Sequence, residues 1–339
     1  MEKSDFLKDP VKHIDIKSFD STGIIEAMKD MSFTARDTAG AADILNKMIN
    51  DEECTIMLCI AGSTSAAGCM QIYVDMVKHN MVDVIVATGA TIVDMDFFEA
   101  LGFQHYKGNP YADDKILREL HIDRIYDTLI DEEQLQVCDN TIKEIADSLA
   151  PRPYSSREFI REMGKYLVDN NAKKSDSLVQ IAYENDVPIF CPAFSDSSAG
   201  FGLVKHQVEN KDNHVSIDSV KDFRELTEIK IKSQVSGLFM IGGGVPKNFA
   251  QDTVVCAEIL GEDASMHKYA VQITVADARD GACSSSTLKE AHSWGKVSTL
   301  YEQMVYAEAT SVLPLIISYV YHGRSWEDRG RRKLSKIFE

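Results

Sequence analysis

One short segment combines a carboxylate, a tryptophan and a lysine at close spacing, residues 290–296 (EAHSWGK). A lysine beside a tryptophan in a glycine-containing loop can be partly withdrawn from water, and burial favours the neutral amine of a lysine. The neutral amine attacks imine and carbonyl carbons, which makes Lys296 a candidate nucleophile. The alternative is an exposed lysine beside a structural tryptophan, and this is the commoner arrangement because most lysines lie at the surface.

Four further segments are rich in glycine, serine or aspartate: 61–68 (AGSTSAAG), 88–96 (TGATIVDMD), 195–202 (SDSSAGFG) and 242–245 (GGGV). Small residues let backbone N–H groups approach a phosphate, and a helix N-terminus that follows adds a favourable dipole. None is the GxGxxG fingerprint, and any one alone is more often a tight turn. Four at one edge of a sheet favour a dinucleotide site, where Asp94 could accept hydrogen bonds from a ribose or cap a helix.

Short apolar runs that alternate with helical patterns must position these segments. The runs 55–60, 82–87, 188–191, 237–241 and 269–275 predict buried strands, and 67–80, 220–232 and 247–260 predict helices. This alternation predicts an α/β fold with a doubly wound, mostly parallel sheet and helices on both faces. Ligands of such sheets sit outside the carboxyl ends of the strands, where the four segments fall.

The domain organisation follows from composition and the absence of linkers. The chain has 339 residues, 44% hydrophobic and 26% charged, as in an ordinary folded protein. We find no repeat or Gly/Ser linker, which predicts one domain over 36–330 with a helical insertion at about 131–185. Ser155 and Ser156, before Arg157, Glu158 and Phe159, are the expected start of a helix in that insertion. Residues 1–35 are predicted as an N-terminal arm and 331–339 as a basic C-terminal tail.

Charge and cysteine content exclude several classes of protein. The 36 basic and 53 acidic residues give a net charge of -17, which argues against a nucleic-acid partner and suits a cationic substrate such as a polyamine. The seven cysteines form no CxxC pair, so we predict neither a disulfide framework nor a metal site. The apolar stretch 312–320 is too short to span a bilayer, and the N-terminus has no apolar signal region; we predict a cytoplasmic protein without a membrane partner.

Four segments together resemble the deoxyhypusine synthase family: 79–90 (HNMVDVIVATGA), 187–200 (VPIFCPAFSDSSAG), 241–248 (IGGGVPKN) and 290–296 (EAHSWGK). The resemblance extends over about 50–320. It implies a Rossmann-like fold, NAD as cofactor, and a homotetramer with active sites at subunit interfaces and an N-terminal arm over a neighbouring site. It also implies the reaction: a hydride leaves spermidine, the aminobutyl group passes to a lysine as an imine and then to an acceptor amine, and the hydride returns.

The resemblance also assigns roles to individual residues. Lys296 is the implied nucleophile, Trp294 packs against the polyamine, Glu290 is a carboxylate on the substrate side, and Ser198 lines the site. The implied cofactor contacts are Thr88, Gly89, Asp94, Asp196, Gly243, Asp280, Gly281, Glu308 and Ala309.

Three substrate-side positions depart from the family pattern. Phe201 and Cys283 stand where the family has acidic residues, and Asn248 stands where it has the histidine of GGGVxKH. Each lost carboxylate removes a charge-assisted contact worth about 1.5 to 3 kcal/mol. Asp252 and Asp277 are the nearest acids that could compensate. The 61–68 loop also lacks the family's serine-asparagine pair.

The leading functional hypothesis is NAD-dependent aminobutyl transfer from spermidine or putrescine, through a lysine imine, to a small amine acceptor, as in a homospermidine synthase. The first alternative is a true deoxyhypusine synthase that modifies a lysine of a translation factor. A second is a catalytically divergent NAD-binding protein. A sirtuin-type deacylase is disfavoured because paired CxxC zinc ligands are missing.

Overall fold

A six-stranded parallel sheet lies at the centre of the structure, a computed structural model that describes residues 2–174 and 176–339. The strands of this sheet and of two smaller ones are β1 (Cys54–Ile60), β2 (Val84–Ala87), β3 (Tyr106–Lys107), β4 (Ile122–Ile125), β5 (Thr128–Asp131), β6 (Pro153–Tyr154), β7 (Ile189–Phe190), β8 (Ser216–Ile217), β9 (Val235–Ile241), β10 (His267–Thr274) and β11 (Val297–Tyr306). The sheet has the order β11-β10-β9-β1-β2-β7, and every neighbouring pair in it is parallel. The predicted α/β fold with a mostly parallel sheet is confirmed.

Helices cover both faces of this sheet. The helices of the described residues are α1 (Lys3–Phe6), α2 (Thr22–Lys29), α3 (Thr34–Asn50), α4 (Met70–Lys78), α5 (Phe98–Ala100), α6 (Asp114–Glu119), α7 (Glu132–Ser148), α8 (Ser156–Asp169), α9 (Leu178–Glu184), α10 (Ser198–Glu209), α11 (Ser219–Lys232), α12 (Gly244–Ile259), α13 (Leu288–Ser293) and α14 (Ala309–Gly323). Two π-helical segments, Ser65–Cys69 and Ala90–Phe97, follow β1 and β2. Short 3₁₀ helices span Ser325–Asp328 and Leu334–Phe338.

Burial along β1 shows why both faces need helices. All seven of its residues are buried, and they alternate between two cores. Ile56 and Leu58 point to the core shared with α3, α4 and α14, whereas Met57 and Cys59 point to the core shared with α11, α12 and α13. Continuous apolar strands of this kind are typical of parallel sheets covered on both sides.

The register of the sheet brings the ends of its central strands level. Ile60 pairs with Ala87 on one side and with Ile241 on the other, and Ile241 pairs with Ile273. The loops that follow β1, β2, β9 and β10 therefore leave one edge together. The chain turns to opposite sides of β1 to form β2 and β9, and such a reversal opens a crevice for ligands at the carboxyl edge.

Two features of the sheet differ from the sequence prediction. The edge strand β11 was not predicted, because its residues are mostly half-buried or exposed and form no apolar run. A small antiparallel sheet, in the order β3-β5-β4, also lies outside the predicted strands. The 131–185 segment contains α7, α8 and α9, and Ser155 begins α8 through a capping box with Glu158, as expected.

Both terminal segments pack against the body of the chain. In the segment predicted as an arm, Ile16 and Ile25 are fully buried, and the Ser21 hydroxyl donates to the Leu315 carbonyl at 2.6 Å. In the segment predicted as a basic tail, Arg331 donates to the Val77 carbonyl at 3.1 Å. The division of the chain into arm, domain and tail remains a prediction.

A buried ion pair fixes the chain across the amino ends of β1 and β2. The Arg329 guanidinium donates to both oxygens of Asp83, at 3.0 and 2.5 Å, and to the Cys54 carbonyl at 2.8 Å. The Asp83 carboxylate in turn accepts from the Ile56 backbone N–H at 2.8 Å. The Arg329 and Asp83 side chains are only 3% and 1% exposed, so water contributes little and each side chain is the main counterion of the other.

The described residues contain no helix that combines the length and the apolar character needed to cross a bilayer. The apolar stretch 312–320 lies within α14, which contains Pro314 and has seven buried residues.

We predict that Arg329→Met destabilises the chain by about 3 to 5 kcal/mol, because it leaves the Asp83 carboxylate buried without its hydrogen-bonded cation and with only the more distant Arg332, whose Nε is 3.8 Å away. Urea unfolding followed by circular dichroism measures the loss. The matched control is Arg279→Met, which breaks an exposed pair with Asp277 and should leave the unfolding midpoint unchanged. Equal effects of the two substitutions would contradict the role given to the buried pair.

Candidate functional site

Lys296 lies where a helix turns into a strand. Thr287 caps α13 together with Glu290, and the helix ends at Trp294. Gly295 has a φ of +73°, a left-handed conformation that glycine adopts readily, and it turns the chain from α13 into β11. Lys296 therefore precedes a strand instead of following one, and its residue is only 9% exposed. Of the two arrangements that the sequence left open, the structure has the buried lysine and not the commoner exposed one.

A cavity of about 670 Å³ surrounds the Lys296 side chain between α11, α12, α13 and the 275–287 loop. Four predicted substrate-side residues line it with Lys296: Asn248, Cys283, Glu290 and Trp294. Its other lining residues are Phe223, Gln251, Asp252, Val255, Cys256, Ile259, Gly281, Ala282, Ser286 and Ala291. Its surface therefore combines apolar side chains with Lys296 and two carboxylates, those of Asp252 and Glu290.

Three side chains surround the Lys296 ammonium. The Asp252 carboxylate lies 2.5 Å from Nζ, and the Asn248 Oδ1 accepts a long hydrogen bond at 3.5 Å. The Trp294 ring centroid is 5.1 Å from Nζ, within range of a cation–π interaction. Trp294 itself is 70% exposed, so one face of the ring remains free.

Sequence analysis gave Asp252 and Asp277 as candidates to replace the carboxylates that are missing from the substrate side. In the structure only Asp252 lines the Lys296 cavity. Asp252 reaches the cavity from α12, one helical turn after Asn248, whose amide donates to Asp252 Oδ2 at 2.8 Å. Asp277 instead pairs with the exposed Arg279 at 2.8 Å, away from the cavity lining.

Glu290 has a structural contact in addition to its place in the cavity. Its Oε2 accepts hydrogen bonds from the backbone N–H and the hydroxyl of Thr287, at 2.7 and 2.9 Å. These bonds to the ionised form lower the pKa of Glu290. Glu290 is therefore an exposed carboxylate that stays charged at the cavity wall.

A second buried lysine, which sequence analysis missed, holds the loop at the cavity wall. Lys247 is 1% exposed, and its Nζ donates to the Cys283 carbonyl at 3.1 Å, to the Ser286 hydroxyl at 2.9 Å and to the Ser286 carbonyl. Burial lowers the pKa of Lys247 to about 8. Its position inside the IGGGVPKN segment was the available signal, but lysines are usually exposed, and only the fold shows this one to be enclosed.

The glycine-rich loops form a second cavity, of about 410 Å³, at the carboxyl edge of the sheet. Its lining is Ala61, Gly62, Thr64, Gly242, Gly243, Gly244, Ile273, Thr274, Val275, Ala276, Ser284, Ala307, Glu308 and Ala309. It thus contains three of the predicted cofactor residues, Gly243, Glu308 and Ala309. Helices α12 and α14 both begin at this cavity, so their N-termini supply backbone N–H groups there.

Two glycines leave this second cavity open. Gly62 and Gly244 have positive φ values, +85° and +65°, and a Cβ built on either would meet no atom within 4 Å. Backbone at both positions can therefore be approached closely by a ligand. An open crevice with two helix N-termini fits the pyrophosphate of a dinucleotide.

Further predicted cofactor residues cluster after β2. The Thr91 hydroxyl links the 61–68 loop to the 88–96 loop by donating to the Gly62 carbonyl at 3.2 Å. Next to it, Gly89 packs so closely that a Cβ would lie 2.5 Å from the Ser197 hydroxyl. Thr88 also belongs to this cluster, since its hydroxyl lies 3.1 Å from that of Thr91.

Asp94 joins this cluster to α10. It accepts a hydrogen bond from the Ser198 backbone N–H at 2.7 Å, so it caps the start of a helix that is distant in sequence. Burial raises the pKa of Asp94 to about 6. The exposed Asp196 lies just before that helix.

Eight predicted residues lie outside the lining of the cavity that matches their predicted role: the cofactor residues Thr88, Gly89, Asp94 and Asp196 described above, and Ser198, Phe201, Asp280 and Gly281. Ser198 and Phe201 belong to α10, and neither lines the Lys296 cavity within this chain; Phe201 is 64% exposed. Asp280 and Gly281 lie in the exposed 275–287 loop, where Gly281 lines the lysine cavity and not the glycine-rich one. Over residues 2–174 and 176–339, no three His, Cys, Asp or Glu side chains gather as a metal-binding group.

The sheet, its glycine-rich edge and the enclosed lysine define a Rossmann-like α/β protein with two adjoining cavities. The family model for deoxyhypusine synthase matches residues 23–320, and the chain belongs to that family. Members of the family are transferases.

Relatives and a solved structure agree with this assignment. The chain is 68% identical, over 99% of its length and 96% of the relative's, to a deoxyhypusine synthase-like protein of Coxiella burnetii. It is 36% identical, over its full length and 96% of the relative's, to a probable deoxyhypusine synthase 2 of Methanosarcina mazei. A crystal structure of a putative deoxyhypusine synthase from Entamoeba histolytica has the same fold, with a TM-score of 0.60 at 21% identity over 92% of this chain and 97% of the other.

We predict that Asp94→Asn stabilises the chain by about 3 kcal/mol at neutral pH. The ordinary pKa of Asp94 is 3.8 and its folded value is about 6, so the folded chain keeps a proton that the unfolded chain releases in this window. Stability therefore falls as pH rises from about 4 to 6, and an amide avoids that loss.

Urea unfolding from pH 4.5 to 8 tests this prediction. The advantage of Asp94→Asn should grow with pH and level off above pH 6. Asp277→Asn is the control, since hydrogen bonds from Arg279 lower the pKa of that exposed carboxyl and no gain is expected. A gain for Asp94→Asn that is independent of pH would contradict the cause given.

Proposed function

We propose that this protein catalyses NAD-dependent aminobutyl transfer from spermidine or putrescine to a small amine acceptor, through an imine at Lys296, as a homospermidine synthase does. The observation that carries the proposal is the enclosed Lys296, held between Asp252 and Trp294 in a cavity with apolar and acidic walls. The alkyl chain of a cationic amine can pack against the apolar wall, and its ammonium groups can pair with the carboxylates.

NAD is proposed as cofactor because the carboxyl edge fits a dinucleotide. Gly243 and Ala309, with the open backbone at Gly244, would hold the pyrophosphate at two helix N-termini. Thr88, Gly89, Asp94 and Asp196 would hold a ribose and its base further along the edge, and Glu308, Asp280 and Gly281 complete the proposed cofactor contacts. When bound, NAD supplies a hydride acceptor that later returns the hydride.

The substrate side favours a small acceptor over a protein lysine. Phe201 and Cys283 provide no carboxylate where the family pattern has one, so the ammonium groups of the substrate must be recognised differently. Glu290 and Asp252 are the carboxylates that line the Lys296 cavity. Trp294 offers an exposed ring face against which an alkyl chain can pack.

We further propose a homotetramer with active sites at subunit interfaces, in the cytoplasm. Ser198 and Phe201 do not meet Lys296 within one chain, and a second copy would be needed to complete the predicted substrate site. The α10 helix exposes Phe201, Val204 and Val208 at helical spacing, with each more than half exposed. The net charge of -17 disfavours a nucleic-acid partner.

Lys296→Ala should abolish amine transfer, by about 1000-fold or more, because no imine can form without the side-chain amine. The measurement is chromatography of amines after incubation with NAD, spermidine and putrescine. Lys289→Ala, which changes an exposed lysine on α13, the helix that precedes Lys296, should leave the formation of homospermidine and diaminopropane intact. Product formation by Lys296→Ala would overturn the proposal.

The same protein, incubated with NAD, labelled spermidine and the translation factor in its unmodified, lysine-containing form, should transfer no label to that factor. We expect label in small amines only, since two acidic positions of the family pattern are changed. Label on the factor would establish a deoxyhypusine synthase instead. NAD binding without oxidation of any amine would favour the catalytically divergent alternative.

A further inference from the structure

The carboxylates that line the Lys296 cavity are engaged in different ways. Glu290 directs one oxygen to Thr287 and thereby caps α13. Asp252 uses both oxygens inside the cavity: Oδ1 lies 2.5 Å from the Lys296 Nζ, and Oδ2 accepts from the Asn248 amide at 2.8 Å. Asp252 is therefore the acid in contact with the candidate nucleophile.

Exposure shows which partner of this pair a ligand meets first. The Asp252 side chain is 32% exposed, whereas the Lys296 side chain is 11% exposed. The carboxylate thus faces the open side of the cavity, and the ammonium lies deeper. The surrounding Phe223, Val255 and Ile259 provide an apolar wall for an alkyl chain.

We propose that Asp252 binds the substrate's ammonium group by releasing Lys296, so that one carboxylate serves first the lysine and then the amine. This inference rests on the proposed function and deepens it, because it names the residue that selects a cationic amine. In the structure, the Lys296 ammonium is the cation that Asp252 holds.

The exchange also prepares Lys296 to react. When a second cation pairs with Asp252, two positive charges share one carboxylate, and both the lost partner and the new like charge favour the neutral amine. The proton on Lys296 Nζ leaves to water at the open side of the cavity. The remaining lone pair is then free to form a bond to carbon.

The covalent step that follows is a transimination. Lys296 Nζ adds to the imine carbon that hydride removal has created in the donor, and a new N–C bond forms. A proton passes from Nζ to the donor's departing nitrogen, the bond between that nitrogen and the carbon breaks with its electron pair going to the departing amine, and the lone pair left on Nζ completes the new C=N bond to Lys296. No redox change accompanies this step, since the donor was oxidised earlier by the nicotinamide cofactor of the proposed reaction.

Asn248 fits this role of Asp252 better than the family's histidine would. Its amide donates to Asp252 Oδ2 but carries no charge, so it orients the carboxylate without neutralising it. A protonated histidine at position 248 would compete with the substrate for the same carboxylate. The presence of Asn248 is thus explained by Asp252 one turn later on α12.

Calorimetric titration with spermidine tests the exchange without turnover, if NADH replaces NAD so that no hydride can be removed. Titrations in two buffers of different ionisation enthalpy report the protons released. The unmodified chain should release about one proton per spermidine bound near neutral pH. Asp252→Asn should bind spermidine about 10- to 100-fold more weakly and release none.

Lys296→Met separates exchange from a merely structural role of Asp252. The substitution removes the competing cation, so spermidine should bind several-fold more tightly and without proton release. Asp252→Glu keeps the charge and should restore much of the affinity, which shows that a loss in Asp252→Asn does not come from misfolding. Asp277→Asn controls for the loss of one negative charge outside the cavity and should bind as the unmodified chain does.

The outcomes distinguish the proposed exchange at Asp252 from the proposed aminobutyl transfer. Unchanged spermidine affinity in Asp252→Asn, or weaker binding by Lys296→Met, would overturn the exchange even if aminobutyl transfer were demonstrated. The expected binding results without any amine product would support the exchange and overturn the proposed reaction. A failure of spermidine to bind the unmodified chain would overturn the exchange for this donor.

Discussion

The level register of the parallel sheet is the constraint on which the rest of the structure depends. Because Ile60, Ala87, Ile241 and Ile273 end in step, the loops after four strands must leave along one edge. The same strands are buried on both faces, so helices must follow each loop and return beneath it. The glycine-rich crevice is thus a direct consequence of strand register.

The enclosed lysine depends on this edge indirectly. Helix α12 begins at the crevice with Gly244 and runs back across the sheet, where it presents Asn248 and Asp252 to Lys296. Lys247 on the same helix holds the 275–287 loop, whose residues line both cavities. One helix and one loop therefore connect the proposed cofactor site with the proposed substrate site.

Local sequence patterns could predict the central strands but not all the residues that matter. β1, β9 and β10 are apolar runs, which the sequence pattern alone is sufficient to find, whereas most residues of β11 are half-buried or exposed and form no such run. Asp252 was only one of two candidate acids, because pairing with Lys296 depends on α12 and the α13–β11 turn packing together. Lys247 was missed, since burial of a lysine is a tertiary property.

The pairing of β1 with β9 has a consequence for how the chain folds. Cys54 at the start of β1 lies beside Val235, and the segments that form β2 and β7 come between them in sequence. The central strand therefore keeps one unpaired edge until a distant part of the chain arrives, and such non-local pairing slows folding. During that interval the apolar β1 strand has an edge whose backbone N–H and C=O groups are unpaired. Other chains can pair with this edge, so aggregation competes with completion of the sheet.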